Sequence, residues 1–317
     1  MLTTVQDAGR YGYAHLGISP AGAADGVALR IVNLLVGNDA NAAALEMTLL
    51  GATLEFDEGA LIALAGTECD CKLNGAVVPM WQALPVPPGG VLACGRITKG
   101  ARVYLGVAGG LDVPRVMGSS STLLAGGFGG LQGRKLEKGD VLRLGKQRRG
   151  SARGERWLAP GAIARIYAPG PIRVTRGAQQ DRFRREAYDT FLSWAYTVSE
   201  DSNRAGLRLK GPPLKARKES PSLTGGIPLG AIQVPRDGQP IILFVDQQTT
   251  GGYPKIANVI AADMHRIGQL RPRDDVRFKE VTMKQAARLV REQEQWLAKA
   301  VARQRPPHKL AGSRRGH

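Results

Sequence analysis

The chain has 317 residues, 43% of them apolar and 22% charged, enough for two ordinary domains or one large one around a sizeable core. That balance excludes wholesale disorder, and without a run of eighteen apolar residues no transmembrane helix and no membrane partner is expected. Residues 1–7 carry neither a basic nor an apolar signal segment, and Cys69, Cys71 and Cys94 form no disulfide framework, so the expected setting is a reducing cytoplasm.

The net charge of +17 is uneven: residues 1–142 hold 10 basic and 12 acidic side chains, and residues 143–317 hold 34 and 15. The excess concentrates in 146–156 and 303–317, both poor in large apolar residues, which predicts a solvated linker and tail. Aromatic residues make up only 5% of the chain, leaving few stacking platforms, so no specific nucleic-acid partner is expected.

In chain order, Ala24–Val36 places Val27, Ile31, Leu34 and Leu35 on one face at helical spacing, and Gly37-Asn38 closes that helix. Short β-like runs follow at 53–56, 61–64, 72–73, 77–78 and 103–107. Asn74-Gly75 between two of them predicts a hairpin, because both turn positions need positive φ. After the basic stretch the second half resumes with the apolar run 162–167. A helix-like stretch then runs from Gln180 to about Ser193, with Phe183, Ala187, Phe191 and Trp194 as its apolar positions. Strands are expected at 231–234, 241–245 and 276–278. A last helix starts at Thr282, where Thr-Met-Lys-Gln285 has the form of a capping box, with Met283, Ala286, Val290, Leu297 and Val301 as its stripe. The pattern is mainly β with a few helices, a barrel or sandwich in each half.

Much familiar chemistry is missing. There is no P-loop and no Gly-x-Ser-x-Gly elbow, and outside the tail only His15 and His265, so no metal site is expected. The glycine-rich 126–133 reads as a mobile surface loop. A catalyst here has carboxylates, amides, hydroxyls and arginines to work with. They cluster at Thr3–Arg10, at Gly22–Asp25 leading to Asn33 and Glu46, at Gly118–Thr122, and most densely at 232–240 with 246–254. The 118–122 cluster reads as a turn. The last directly follows an apolar strand, where a carboxylate, amides and hydroxyls need a ligand or each other.

Thr3-Thr-Val-Gln-Asp-x-Gly-Arg10, Gly22-Ala-x-Asp25, Asn33-x-x-Val-Gly-Asn38, Leu45-Glu46, Ala108-Gly-Gly110, Gly230-Ala-Ile-Gln-Val-Pro235, Gly238-Gln-Pro-Ile241 and Asp246-x-Gln-Thr-Thr-Gly-Gly-Tyr-Pro254 together resemble the biotin-dependent carboxyltransferase family over about residues 1–285. That group includes the C subunit of 5-oxoprolinase, allophanate hydrolase subunit 2 proteins, the KipA antagonist and the carboxyltransferase domain of urea carboxylase. The resemblance implies tandem cyclophilin-like β-barrels with the working cleft between them: residues 1–145 and 161–302, joined by a basic linker (146–160) and followed by a disordered basic tail (303–317). Four departures stand out. A strand usual before Thr3 is absent, implying a late start or a first barrel one strand short. Ser120 stands where an Arg is usual, Thr224-Gly225 where Ser-Glu is usual, and Pro272-Arg-Asp274 where Pro-Gly-Asp is usual.

The activity implied is that of the C subunit in an ATP-dependent 5-oxoprolinase, a cyclic amide hydrolase that works only as a complex with KipI-like and LamB/YcsF-type subunits. The alternatives implied are a carboxyltransferase of the urea carboxylase or allophanate type and a non-catalytic KipA-like regulator. ATP would be consumed by the complex, and any biotin would come on another protein. For an amide or lactam substrate, Arg10 and Arg204 are expected to hold an anion and Gln233 and Gln248 to read the amide. Asp25 and Asp246 would orient those groups or accept a proton, and Tyr253 would donate to a developing oxyanion. Replacing Asp246 by Asn is expected to abolish activity with little loss of folding. Gln6, Asp7, Thr249 and Thr250 complete the expected substrate-binding set, while Asn33 and Glu46 are read as structural hydrogen-bonding groups.

Overall fold

The computed structural model describes residues 2–146, 156–217 and 224–300. Among these, the first half contains β1 (Leu2–Gln6), β2 (Ala44–Thr48), β3 (Thr53–Phe56), β4 (Ala60–Gly66), β5 (Cys69–Leu73), β6 (Ala76–Val77), β7 (Ala83–Val86), β8 (Gly90–Ile97) and β9 (Arg102–Val107). They form a five-stranded sheet in the order β1-β2-β9-β4-β7 and a four-stranded sheet in the order β3-β8-β5-β6.

Strand alternation decides what each face meets. On one face of the larger sheet, Leu45, Met47, Ile62, Leu64, Val103 and Leu105 join Leu92 and Ile97 of the smaller sheet in a single core. The opposite face carries Ala44, Ala63, Ala65 and Tyr104, and helix α1 (Gly26–Val36) lies on it. The alanines keep this face low, and where the helix comes closest a Cβ on Gly106 would sit 3.0 Å from Val32. Helix α1 begins where Asp25 accepts from the backbone N–H of Val27 and Ala28, and ends at Gly37 in the left-handed region. The Asn74-Gly75 hairpin forms as expected, with φ of 49° and 83° and Lys72 opposite Val77.

The second half contains α2 (Pro160–Ile166), β10 (Ile172–Arg176), α3 (Arg185–Ser193), β11 (Tyr196–Val198), β12 (Gly206–Lys210), β13 (Gly225–Gly226), β14 (Ala231–Gln233) and β15 (Ile241–Leu243). It continues with β16 (Thr250–Gly251), β17 (Lys255–Val259), α4 (Met264–Ile267), β18 (Asp275–Val276), β19 (Phe278–Glu280) and α5 (Met283–Ala300). Eight of these strands form one sheet in the order β18-β11-β12-β15-β14-β17-β10-β19. Its two end strands are separated by Arg277 alone, so the sheet curls until it nearly meets itself. The fold is mainly β with few helices, as the pattern implied. Inside the curl lie Phe191 and Phe278, stacked with centroids 4.5 Å apart, among Ile232, Ile242, Phe244 and Ile256.

Several local expectations need correction. The run 162–167 lies mostly in helix α2, started by Pro160 in the first turn. The 180–193 stretch is a short 3-10 turn and then α3, interrupted at Phe183-Arg184, and Trp194 beyond it is 57% exposed. The capping box at Thr282 forms in both directions, Gln285 N–H to Thr282 Oγ1 at 3.2 Å and Thr282 N–H to Gln285 Oε1 at 2.8 Å. Met283 is nonetheless 72% exposed and not part of the buried stripe. Most of the expected linker (147–155), Val301 and the expected tail lie outside the described residues.

Candidate active site

The turn between β1 and α1 carries the first half onto the second. Ala21 N–H donates to the carbonyl of Val245 at 2.9 Å, while Arg10 N–H and Ala23 N–H fold the same turn back onto Pro20 and Asp7. Val245 follows β15, so the chain arrives at Asp246 directly against residues 20–23.

Arg204, from the second half, fills this seam. Its guanidinium donates twice to Asp246 (Nε–Oδ2 2.8 Å, Nη2–Oδ1 3.0 Å), to Glu46 Oε1 at 2.5 Å and to the Gly22 carbonyl at 2.7 Å. Glu46 stands opposite Tyr104 in the β2–β9 register, on the face that α1 covers. The Tyr104 hydroxyl donates to Glu46 Oε2 at 2.5 Å and accepts from Asp25 N–H at 2.8 Å. Ala24 N–H also donates to Glu46 Oε2, and Arg102 Nε lies 3.4 Å from Oε1. Burial alone would raise the Glu46 carboxyl, but the Arg204 and Arg102 guanidiniums and these hydrogen bonds outweigh it and hold it below the usual glutamate range. Burial, then the neighbouring Glu46 and Asp25, keep the Tyr104 phenol far above its ordinary value, a fixed donor.

Asp25 is completely buried at the same seam. One oxygen caps α1; the other accepts from Tyr167 OH at 2.6 Å and from Gln269 Nε2 at 2.7 Å. Gln269 Oε1 in turn accepts from the backbone of Ala101 and Arg102, stitching α4's end to β9. Asp7 is satisfied inside the first half by Ser119 Oγ (2.6 Å), Ser121 Oγ (2.5 Å), Ser120 N–H (2.6 Å) and Gly9 N–H (2.8 Å). The 118–122 segment is thus a carboxylate-binding turn, with Ser120 contributing its backbone.

Arg10 is 1% exposed. It donates through Nη2 to the Ser121 carbonyl and more weakly through Nε to Val116, and its carbon lies 4.9 Å from the centre of the Phe128 ring. Nη1 is buried without a partner. Burial lowers the guanidinium from its ordinary value, with Asp7 and Asp246 pulling it back up. The glycine-rich 126–133, expected as a mobile surface loop, is the packed platform for this group. Gly129, at φ +78°, comes so close that a Cβ there would lie 2.0 Å from the Ser121 carbonyl.

Gln233, at the end of β14, is buried with its Nε2 unpartnered. It faces β16, where a Cβ on Gly251 would meet Gln233 Nε2 at 3.2 Å and Gln248 Nε2 at 3.3 Å. The two amides therefore converge over Gly251. Across from it, Gly225 pairs with Gly251, and a Cβ on Gly225 would meet nothing within 4 Å. Thr249 holds Ile227 N–H through its carbonyl, Thr250 is exposed in β16, and Tyr253 is 48% exposed at the rim.

The structure thus gathers Arg10, Arg204 and Asp246 at the seam, and Gln233 and Gln248 around the turn that leaves Asp246. Asp25 and Asp7 are tied into protein networks beside it. Gln6 points instead within the first half, Nε2 to Thr4 Oγ1 and the Thr122 carbonyl, with Oε1 buried and unpartnered. Asn33 donates to the Ala42 carbonyl and accepts from Asn38, a structural role as expected. Tyr104, Arg102, Tyr167 and Gln269 were missed by sequence reasoning; the only signal was a tyrosine and an arginine within an otherwise apolar strand run. A cavity of about 420 Å³ lies elsewhere, beside α2, α4 and α5, and none of the converging residues line it. What marks the converging residues is instead two buried donors without partners, Arg10 Nη1 and Gln233 Nε2. Among the described residues no group of three or more His, Cys, Asp or Glu is placed to hold a metal ion, and no helix is long and apolar enough to cross a membrane.

Residues 16–280 match the family described as carboxyltransferase domain, subdomain A and B. The chain is 43% identical over 296 residues to the C subunit of 5-oxoprolinase from Escherichia coli, covering 93% of this chain and 94% of that protein. It is 36% identical to the protein of the same name from Haemophilus influenzae, covering 93% of each. The crystal structure of the K. lactis urea amidolyase superposes with a TM-score of 0.85 at 34% identity, over 94% of this chain and 19% of that one.

Proposed function

We propose a function from one premise: the chain belongs to the carboxyltransferase domain family, subdomain A and B. Its role is that of the C subunit in an ATP-dependent 5-oxoprolinase, working in the cytoplasm with KipI-like and LamB/YcsF-type subunits. The observation that carries this reading is the end-to-end match to stand-alone proteins of that name, 94% of the E. coli protein, against 19% of the urea amidolyase chain.

The reaction adds water across the lactam C–N bond of 5-oxo-L-proline: the carbonyl carbon gains the hydroxyl, the nitrogen gains the proton, and L-glutamate results. A lactam is a poor electrophile, so its oxygen needs donors already in place. Gln233 Nε2, buried and unpartnered, is such a donor, and Gln248 converges on the same point. Arg10, with Nη1 unpartnered, takes the substrate carboxylate. Arg204 acts differently from the anion-binding role its type suggested. Its donors are spent on Asp246, Glu46 and Gly22, so it positions Asp246, whose carboxylate orients the substrate amide. Tyr253 at the rim donates to the developing oxyanion. Asp25 supports the cleft through α1 and Gln269. The donor set, one available guanidinium and two amides beside a carboxylate, suits a carboxylate and an amide but not a triphosphate, so no nucleotide step is assigned to this cleft. The same donors suit the ureido oxygen of a biotin carried on another protein, which would supply a transferable carboxyl group in the urea carboxylase-type alternative.

The test is glutamate release from 5-oxoproline and ATP by the complex assembled from this chain and its two partners, each omitted in turn. Release that stops without this chain supports the reading. Full release without it excludes this role, and tight binding to the KipI-like partner without release by the complete set moves the assignment to a urea-type amide or a KipA-like regulator.

A further inference from the structure

We propose that the cavity walled by α2, α4 and α5 binds a small organic anion in which a flat ring is joined to a phosphate or carboxylate. It measures about 420 Å³, within the range of small-ligand pockets, and both halves line it, Val27 of α1 from the first.

Its charge is unbalanced. Arg165, Arg173, Arg266 and Lys279 line it against Asp263 and Glu292. Asp263 is fully buried and gripped by Arg173, accepting from the backbone N–H at 2.7 Å and from the guanidinium through both oxygens. Arg173 and Arg266 share that one carboxylate, and Arg165 and Lys279 face Glu292, so the lining keeps an excess of two cations. Arg266 is fixed on the wall by the carbonyls of Gly170 and Pro171, and its guanidinium also lies 3.5 Å from Asp263, a longer contact than those Arg173 makes. Burial lowers it from its ordinary value; Asp263 opposes that and Arg173 adds to it. A partly desolvated cation beside a second cation is a situation that an entering anion relieves.

Part of the remaining wall is apolar. Trp296 and Leu289 of α5 face Pro169 and Pro171, and the Arg165 guanidinium lies 5.7 Å from the centre of the Trp296 ring. An aromatic body entering beside Trp296 would place its anionic group among Arg266, Lys279 and Arg165. Bare phosphate would leave the apolar wall uncovered, and an uncharged ring would leave the cations unpaired.

Titration of the full chain, followed by calorimetry and by tryptophan fluorescence, tests this with four probes: adenosine monophosphate, indole-3-acetate, adenosine and inorganic phosphate. At least one ring-bearing anion should bind saturably and about tenfold or more tighter than both adenosine and phosphate. Which of the two binds identifies the phosphate or the carboxylate. Trp296→Phe should remove most of the fluorescence change. Lys279→Gln or Arg165→Gln, both exposed positions, should weaken binding by about threefold each. Failure of both anions to bind, adenosine or phosphate binding as tightly as they do, or unchanged affinity in both charge variants overturns the proposal.

Discussion

Arg204 of the second half and Glu46 of the first are joined at 2.5 Å across 158 residues of chain, and the same guanidinium grips Asp246. One cation therefore links the docking of the two halves to the placement of the Asp246 carboxylate. All three side chains are almost wholly removed from water, so the linkage is rigid and sensitive to the loss of any member.

Acid should act on this linkage through Glu46. Its folded pKa lies below the ordinary value of 4.5. The unfolded state therefore binds the proton more readily, and the stabilisation is complete above that value and lost as pH falls through the folded one. In Glu46→Gln, which cannot titrate, this part of the acid loss should disappear, leaving a flatter stability profile below about pH 4.5. Urea midpoints measured from pH 3 to 7 check it.

Removing the cation should be the more damaging change. Arg204→Met leaves Glu46 and Asp246 buried without their shared partner, with an expected loss of about 3–5 kcal/mol by urea denaturation. Asp246→Asn keeps the Glu46 bond, so a smaller loss, about 1–3 kcal/mol, should accompany the loss of complex activity. The sequence reading expects little loss of folding from the Asp246 change; the bidentate Arg204 contact is the reason to expect a measurable one.

What was legible beforehand was local chemistry. Asp25 ahead of an apolar helix face, Asn74-Gly75 between strand runs and Thr282 three residues before Gln285 each name their own partner within a few positions. Longer reach came only from resemblance, whose motifs hold Glu46 and Asp246 without saying that Arg204, outside all of them, touches both. Glu46–Arg204 and Asp25–Gln269, separated by 158 and 244 residues, depend on how two sheets dock, and no periodicity encodes that. The glycine-rich loop is misread for a related reason: Gly129 serves close approach to Ser121, a contact 8 residues away that composition cannot distinguish from mobility.

Gln233 should separate stability from activity. Its Nε2 is buried without a partner, so Gln233→Met removes an unsatisfied donor and should leave stability unchanged or raised by up to about 1 kcal/mol. If that amide holds the substrate oxygen, kcat/KM of the assembled complex should fall by about 100-fold. Thermal unfolding of the isolated chain and steady-state rates of the complex read the two effects separately.

Gly129→Ala should cost about 2 kcal/mol or more, because the added Cβ meets the Ser121 carbonyl at 2.0 Å and the backbone sits at φ +78°. Arg10 would lose its seat at the same time, since that Cβ also comes within 2.8 Å of Nη2. Lowered stability with weakened 5-oxoproline binding by the complex is the expected pair of results.

The near-meeting of β18 and β19 around Arg277 also bears on assembly. A sheet whose two margins are strands of two and three residues, held against each other by one intervening residue, offers almost no open ladder of N–H and C=O groups. Among the described residues, a partner finds no strand-long ladder at either margin of this eight-stranded sheet. Recognition there falls to side chains and loop surfaces, where single substitutions tune affinity without disturbing the hydrogen-bonded wall behind them.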